Sequence, residues 1–371
     1  ASGENSYAAL GVNDRINRSS PVQVPGSYTN VSASGNTRIS AAVKTDGTLW
    51  TWGRDYAGAG GWNTEGQNFS SPVQVAGFPP STGFVKLYDS GAVGCSILST
   101  CYVDEDGTLY TWGRNEYGQL GQGNRTNRSQ PIQVGGKGIW SQNIAFNDDE
   151  MRMCVRRDGT LWSWGQNSTG QLGLNSRTQY SSPKQVGTGA YWSTEIGTLA
   201  RGPSTSAAVK TDGTLWTWGM GQVGQLGQNQ AGQTKYSSPT QVGSRSNWKY
   251  VHITGGTLIA TNTDGELWTC GSHEYGTLGQ NASVSRSSMV QIPGTTWHKP
   301  VDAKKDGAGC TKTDGTLWVW GRNQKGALGQ NNRTEYSSPI QFGSNVNWNN
   351  SPAKQAVSIS GQYDAMFLLE E

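Results

Sequence analysis

The sequence predicts an all-β fold assembled from seven copies of one unit. Three observations carry that prediction: a phrase that returns seven times, an Asp-Gly step inside the units, and the residue composition. The phrase is Ser-Ser-Pro-Xaa-Gln-Val or a near variant. It stands at Ser19–Val24, Ser70–Val75, Ser129–Val134, Ser181–Val186, Ser237–Val242, Ser287–Ile292 and Ser337–Phe342. The starts are 51, 59, 52, 56, 50 and 50 residues apart, and 371 residues in seven units give 53 each, so the repeat spans the whole chain. A period near fifty marks a β-propeller or a solenoid. It also replaces the two or three ordinary domains that the length would otherwise suggest, and residues 1–371 read as one domain. Gly is abundant at 52 residues. Trp, Val, Ile, Thr and Tyr fall in short alternating runs bounded by Gly, Asn, Asp, Ser and Pro, the composition of strands and tight turns.

Within a unit the elements follow in order. The first run is apolar, as in Ala41-Ala42-Val43 and Ala207-Ala208-Val209. An Asp-Gly step follows, at Asp46, Asp106, Asp158, Asp212, Asp264 and Asp314, and supplies the positive φ of a tight hairpin. An aromatic strand comes next, Leu-Trp-Thr-Trp-Gly in its fullest form. Strand alternation puts Leu49, Thr51 and Gly53 on one side and Trp50 and Trp52 on the other. A Gly-Gln-Leu-Gly phrase then appears at Gly118–Gly121, Gly170–Gly173 and Gly224–Gly227, with variants at Ala8–Gly11, Gly276–Gly279 and Gly326–Gly329. Such spaced glycines allow close backbone approach between neighbouring units. The Gln-Val strand and a Gly-rich turn complete the unit, often with a further Trp: Trp140, Trp192, Trp248, Trp297 and Trp348. About four short strands per unit fit a propeller blade.

Asp-Gly-Thr-Leu-Trp-Xaa-Trp-Gly followed by Gly-Gln-Leu-Gly resembles the repeat of the regulator of chromosome condensation (RCC1) family, and the resemblance covers essentially the whole chain. It implies an all-β, seven-bladed β-propeller of RCC1 type, its ring closed by N- and C-terminal segments that share one blade. Its regular, Trp- and Asn-rich style is similar to bacterial and viral members.

The ends fit such a closure, as a split blade from 1–24 and 352–371 with six full repeats between. Gly3-Glu4-Asn5 matches Gly113-Arg114-Asn115, Val357–Gly361 aligns with Val31–Gly35, and Phe367-Leu368-Leu369 with Ala41-Ala42-Val43. Shared closure would hide sheet edges. Glu371 aligns with Thr45 and Ala1 with Thr51, so the split unit lacks the Asp-Gly-Thr-Leu-Trp segment. A shortened or rearranged closing blade is the expectation; a strand accepted from a neighbouring molecule is the alternative. The start at Ala1 suits removal of an initiator Met, processing, or a trimmed fragment.

The chemistry-bearing residues point away from catalysis. The three histidines, His252, His273 and His298, do not recur between repeats and have no metal-ligand spacing. No nucleophile elbow or P-loop is present. The Asp-Gly steps are explained by their turns without calcium. The ten tryptophans of the aromatic strands, Trp50 to Trp320, are expected to pack between sheets. The Gly-Trp-Arg-His-Thr motif of the plant ultraviolet receptor that shares the fold is missing. Cys154, Cys270 and Cys310 read as small buried residues; Cys95 and Cys101 leave both a disulfide and two thiols open. Neither a cofactor nor a metal is expected. A net charge of +3 is no polyanion footprint, so nucleic acid is not an expected partner. No run is long enough to span a membrane, and no apolar leader opens the chain. Asn-Xaa-Ser/Thr triplets such as Asn124-Arg125-Thr126 follow from the Asn-rich loops.

The segments between Leu-Gly and Ser-Ser-Pro carry Arg15, Arg18, Arg125, Arg128, Arg177, Tyr180, Lys235, Tyr236, Arg286, Arg333 and Tyr336. Repeat symmetry is expected to set these around one rim, and Arg and Tyr favour interface anchors. The alternative is a set of plain solvated loops. The functional expectation is a non-enzymatic structural or binding module that contacts proteins. The specific form expected is a virion component (phage tail, neck or capsid-decorating) or a surface-exposed protein, with other virion subunits or a host receptor as partners. The alternatives are a guanine-nucleotide exchange factor for a small GTPase, which the family's founding member implies along with chromatin docking, and a lectin-like glycan binder. Against exchange stand the missing long wedge between repeats and the missing basic N-terminal tail.

Overall fold

A computed structural model describes the chain except residues 4, 19–21, 34–38, 77–91, 96–98, 146–150, 231, 233, 282–283, 302, 305–306, 325, 327, 345, 347, 349–355, 361–364 and 369–371. Regular structure among the described residues is β throughout, apart from one 3-10 turn at Glu274–Gly276. The strands form seven four-stranded sheets. Sheet 3 shows the pattern, with Trp140–Ala145, Met151–Arg156, Leu161–Gly165 and Tyr180–Gln185 pairing antiparallel in chain order. Sheets 1, 2, 4, 5 and 6 repeat it, starting at Tyr28, Ala92, Leu199, Trp248 and Trp297. The first strand of each sheet touches the first or second strand of the preceding one all the way round, and Tyr28–Ala33 meets Ala356–Ser360 of sheet 7. The molecule is a closed seven-bladed β-propeller with the first strands innermost.

Sheet 7 joins the two ends. Gly3 lies opposite Ala365 and Ser2 opposite Met366. Gly53 lies opposite Ile39 and Trp52 opposite Ser40 in the same way, so Ser2 stands where sheet 1 has Trp52. Ala1 and Val22 exchange main-chain hydrogen bonds of 2.7 Å, which sets Val22 beside the N-terminal residue of the sheet. The third strand here is only Ser2–Gly3, against five to seven residues elsewhere. Ala303–Lys304 adds a short parallel pairing to Ala356–Ser360.

The repeated phrases are the seams between blades. Trp164 Nε1 donates to the Gln119 carbonyl of the preceding blade at 2.9 Å; Trp112, Trp218 and Trp320 do the same to Ala59, Gln171 and Thr277. Gly121, at φ +72°, faces that indole, and a Cβ there would stand 2.9 Å from Trp164 Nε1. Gly118 comes so close to Ser181 of the next blade that a Cβ would lie 2.5 Å from its Cα. The Ser181 carbonyl accepts from Gly123, and the Ser237 carbonyl from Asn175. Ser-Ser-Pro and Gly-Gln-Leu-Gly are therefore two sides of one joint. Each indole buried here removes about 150–250 Å² from water, a gross gain of about 4–6 kcal/mol.

Two sequence expectations need correction. Trp52, Trp112, Trp164, Trp218 and Trp320 are buried, but Trp50, Trp162, Trp216, Trp268 and Trp318 are only half-buried. The second set lies beside the Asp-Gly turns, and the first four donors reach the Thr two residues before, as Trp162 Nε1 to Thr160 Oγ1 at 2.8 Å; Trp268 reaches Glu266. Cations cover the indoles: Lys44 Nζ 3.4 Å from Trp50, Arg156 Cζ 3.7 Å from Trp162, Lys210 Nζ 3.6 Å from Trp216 and Lys312 Nζ 3.9 Å from Trp318. These rings end the blade rather than fill a seam. Sheet 1 also has a degenerate copy of the Gly-Gln-Leu-Gly phrase, Gly58-Ala59-Gly60-Gly61, beyond those expected from the sequence. A Cβ on Gly60 would lie 2.6 Å from the Trp62 ring, so Trp62 takes the place of the repeat Leu.

The Asp-Gly turns are closed as expected. Asp158 Oδ1 accepts from the Thr160 amide at 2.9 Å and its hydroxyl at 2.6 Å, which holds the carboxyl below the usual range. Cys101, Cys154, Cys270 and Cys310 are buried, and burial pushes the last three thiols up. The Cys95 side chain lies outside the described residues.

Candidate functional site

Antiparallel order gives the disc two unlike faces. The turns between first and second strands and the long loops between third and fourth strands share one face, the loop face. The Asp-Gly turns and the connections between sheets share the other. Five of the seven long loops are tied internally by one side chain at the same position. Asn115 Oδ1 accepts from the Leu120 amide at 3.0 Å, while its Nδ2 donates to the carbonyls of Asn124 and Thr126. Asn167 and Asn323 repeat the arrangement, and Asn5 Oδ1 likewise accepts from Leu10. Such loops hold their outward side chains on a fixed scaffold.

The rim residues predicted from sequence all lie at this face, toward the outer edge. Arg15, Arg125, Arg177, Lys235, Arg286 and Arg333 are exposed. Arg125 reaches across a seam to Gln179 Oε1 at 3.2 Å. Arg18 is half-buried and paired with Asp14 at 2.5 Å. Tyr180, Tyr236 and Tyr336 do something different. Each sits opposite the Gly that ends its aromatic strand (Gly165, Gly219, Gly321) and packs on the core. Their rings cover a glycine gap in an outer strand pair. Arg128 occupies the same register opposite Gly113, and Arg286 opposite Gly271.

The structure adds a set that sequence reasoning missed. The residue after the strand-ending Gly is Arg54, Arg114 or Arg322 in three blades, and tyrosines follow two or three residues later or in the neighbouring blade. Arg54 Cζ lies 5.3 Å from the Tyr7 ring of the preceding blade and 5.8 Å from Tyr56. Arg322 Cζ lies 4.5 Å from Tyr275 of its preceding blade. Arg114 pairs with Glu116. Tyr56 is 52% exposed and Tyr275 37%, so the stacks sit at the surface. Stacking restricts each guanidinium before any partner arrives, at about 0.5–1 kcal/mol per exposed pair. The signal was available in the Gly-Arg-Asn phrase, which was used only to align the ends. This Arg–Tyr belt can supply planar donors and amphipathic rings to a protein surface. Among the described residues no group of three or more His, Cys, Asp or Glu side chains converges as a metal site would require.

Asp55 is the one described loop-tying residue that is acidic. Its Oδ1 accepts from the Gly60 amide at 3.0 Å, and its Oδ2 is buried without a partner. Burial, with Glu65 nearby, pushes its carboxyl up to about 6 despite the Gly60 bond.

Residues 1–366 match the family model of the RCC1-like domain. The ultraviolet-B receptor UVR8 of Arabidopsis thaliana is 28% identical over 283 residues, covering 72% of this chain and 61% of that protein. The human E3 ubiquitin-protein ligase HERC2 is 28% identical over 257 residues, covering 67% of this chain and 5% of that protein. The chain thus spans about three fifths of the first relative's length and a small part of the second's. Among solved structures, yeast RCC1 (Prp20) bound to Kap60 has a TM-score of 0.79 at 16% identity, covering 100% of this chain and 88% of that one. Prp20p of Saccharomyces cerevisiae, described with its binding to Gsp1p and histones, has a TM-score of 0.77 at 17% identity, covering 92% and 85%. At that identity the likeness is one of fold. The expectation of a virion component is corrected by these matches: these two relatives are a receptor and a ubiquitin ligase, and neither is a structural protein of a particle.

Proposed function

The chain belongs to the family of RCC1-like domains, and on that premise we propose that it is a protein-binding regulator whose loop face docks a small GTPase and promotes guanine-nucleotide exchange. The observation that carries the docking half is the Arg–Tyr belt, held at the surface on loops tied internally by Asn5, Asp55, Asn323 and Thr277. The exchange half draws on the family resemblance and on yeast Prp20p, whose structure is described with its binding to Gsp1p. Exchange requires no bond-making residue. A protein that binds the nucleotide-free partner more tightly than the loaded one weakens nucleotide binding by that same factor, and release speeds equally where nucleotide association is unchanged. A thousandfold acceleration needs about 4 kcal/mol of such preference, within reach of a few well-placed Arg and Tyr anchors at about 2 kcal/mol each.

The test is release of a fluorescent GDP analogue from a panel of purified small GTPases, with and without the propeller. The proposal expects acceleration of one of them, lost when Arg54, Tyr56 and Arg322 are replaced by Ala in a variant that melts like the parent. No acceleration and no complex with any member would refute it.

A further inference from the structure

In a repeat protein, side chains that hold the scaffold recur in every copy. Places where one copy departs from the pattern, next to open space, mark something that the scaffold does not need. Four such departures meet at the seam between sheets 4 and 5. Cys270 replaces the seam tryptophan, and Met289 replaces the Pro of Ser-Ser-Pro. Both close on Gly227, whose Cβ would lie 3.3 Å from Cys270 Sγ and 3.6 Å from Met289 Cγ. The loop-tying Asn is Gly221 in one flanking loop and His273 in the other. Other contacts stand in: Gln225 Nε2 donates to the Met220 carbonyl at 3.1 Å, and Thr277 Oγ1 to the Ser272 carbonyl at 3.0 Å.

A half-open cleft of about 240 Å³ lies on the loop face at this seam. Met220, Val223 and Pro203 supply the apolar part of the lining, and Ser204, Gln222 and Thr277 belong to its larger polar part. Glu274 is the only ionisable residue of the lining. It is exposed, and no described side chain pairs with its carboxylate. The cleft is smaller than the roughly 300–1,000 Å³ of drug-sized ligand sites and suits one long side chain. A lining that combines three apolar side chains with one carboxylate can take a methylene stem ending in a cation.

We propose that this cleft receives one lysine or arginine side chain of the docked protein partner, with Glu274 as its counter-charge. The inference rests on the docking reading above and adds the orientation of the partner. Arg–Tyr stacks at two places on a disc of seven like blades constrain the rotation of what sits on it only loosely. An acidic cleft in a face that also carries Arg54, Arg114 and Arg322 adds a further constraint, because a misrotated partner would leave its basic residue against Arg side chains.

The probes are blocked single residues: N-acetyl-arginine methylamide, N-acetyl-lysine methylamide and the uncharged N-acetyl-citrulline methylamide. Each is titrated into the full chain while amide shifts are followed by NMR. At least one cationic probe is expected to move the amides of Val223, Gly256 and Thr277 and to bind at least fivefold tighter than the citrulline probe. Glu274→Gln, an exposed change that keeps the fold, is expected to remove that difference. Absence of shifts at these amides, equal binding of the citrulline probe, or unchanged binding to Glu274→Gln would each overturn the inference. The docking reading is judged separately, by the Arg54, Tyr56 and Arg322 variant against the GTPase, so the two can fail independently.

Discussion

Replacing Asp55 by Asn is expected to stabilise the protein at neutral pH. Four other blades tie their long loop with Asn5, Asn115, Asn167 or Asn323, whose amide nitrogens donate to loop carbonyls. Asp55 keeps only the accepting half of that role, toward Gly60, and leaves Oδ2 buried and unpartnered. Its carboxyl is pushed up to about 6 from 3.8. The raised value fixes the sign. The folded state holds the proton more tightly, so this group's contribution is fullest below pH 3.8 and is lost as pH rises through about 6. At pH 7 the ionised carboxylate costs up to about 3 kcal/mol, at 1.36 kcal/mol per unit of pKa. For a chain of this length that is about 3–4 °C in melting temperature. Thermal melts of the parent and Asp55→Asn between pH 4.5 and 7.5 read it directly. The two curves should lie close at pH 4.5 and diverge through pH 6, the variant melting higher above it. A variant that melts at or below the parent at pH 7, or a gap that does not change with pH, would refute the assignment.

Other expectations follow from the seams and the two faces. Gly121→Ala puts a Cβ against Trp164 at positive φ and should destabilise by about 2–4 kcal/mol in urea unfolding. Cys270→Trp should cost about 1–3 kcal/mol alone, because Met289 already fills the space. The double change Cys270→Trp with Met289→Pro, which restores the repeat, should recover part of that loss, and a double-mutant cycle without coupling would contradict the packing account. Lys210→Ala uncovers Trp216 on the opposite face and should cost about 1 kcal/mol without altering partner binding in a pull-down titration.

How much could be read in advance follows from what repetition encodes. Ser-Ser-Pro, Gly-Gln-Leu-Gly and the inner tryptophans recur because every seam needs them, so their spacing displays seven like units, while the closed ring was implied by the RCC1 resemblance and by the alignment of Gly3-Glu4-Asn5 and Phe367-Leu368-Leu369 with other units. The fate of Trp50 and its counterparts was not readable, since alternation assigns a side of the strand and not a depth along it. Only the position next to the Asp-Gly turn puts those rings at the blade's end. Tyr180 and Tyr236 looked like surface anchors for a related reason: nothing in their loop shows that a glycine gap lies opposite. The belt of Arg54, Tyr7, Tyr275 and Arg322 joins residues about fifty apart across seams, and local spacing does not display such pairs. The specific functional expectation, a virion component, had only stylistic likeness behind it, and a fold shared by many functions does not choose among them.

The claim that the loop face is where a protein partner binds is tested most directly by hydrogen exchange on the complex with the GTPase selected by the release assay. Slowed exchange is predicted at residues 54–57, 114–117, 272–277 and 322–324, with the Asp-Gly turns at 46–48, 158–160 and 212–214 unchanged. Protection at those turns and none in the long loops would contradict it.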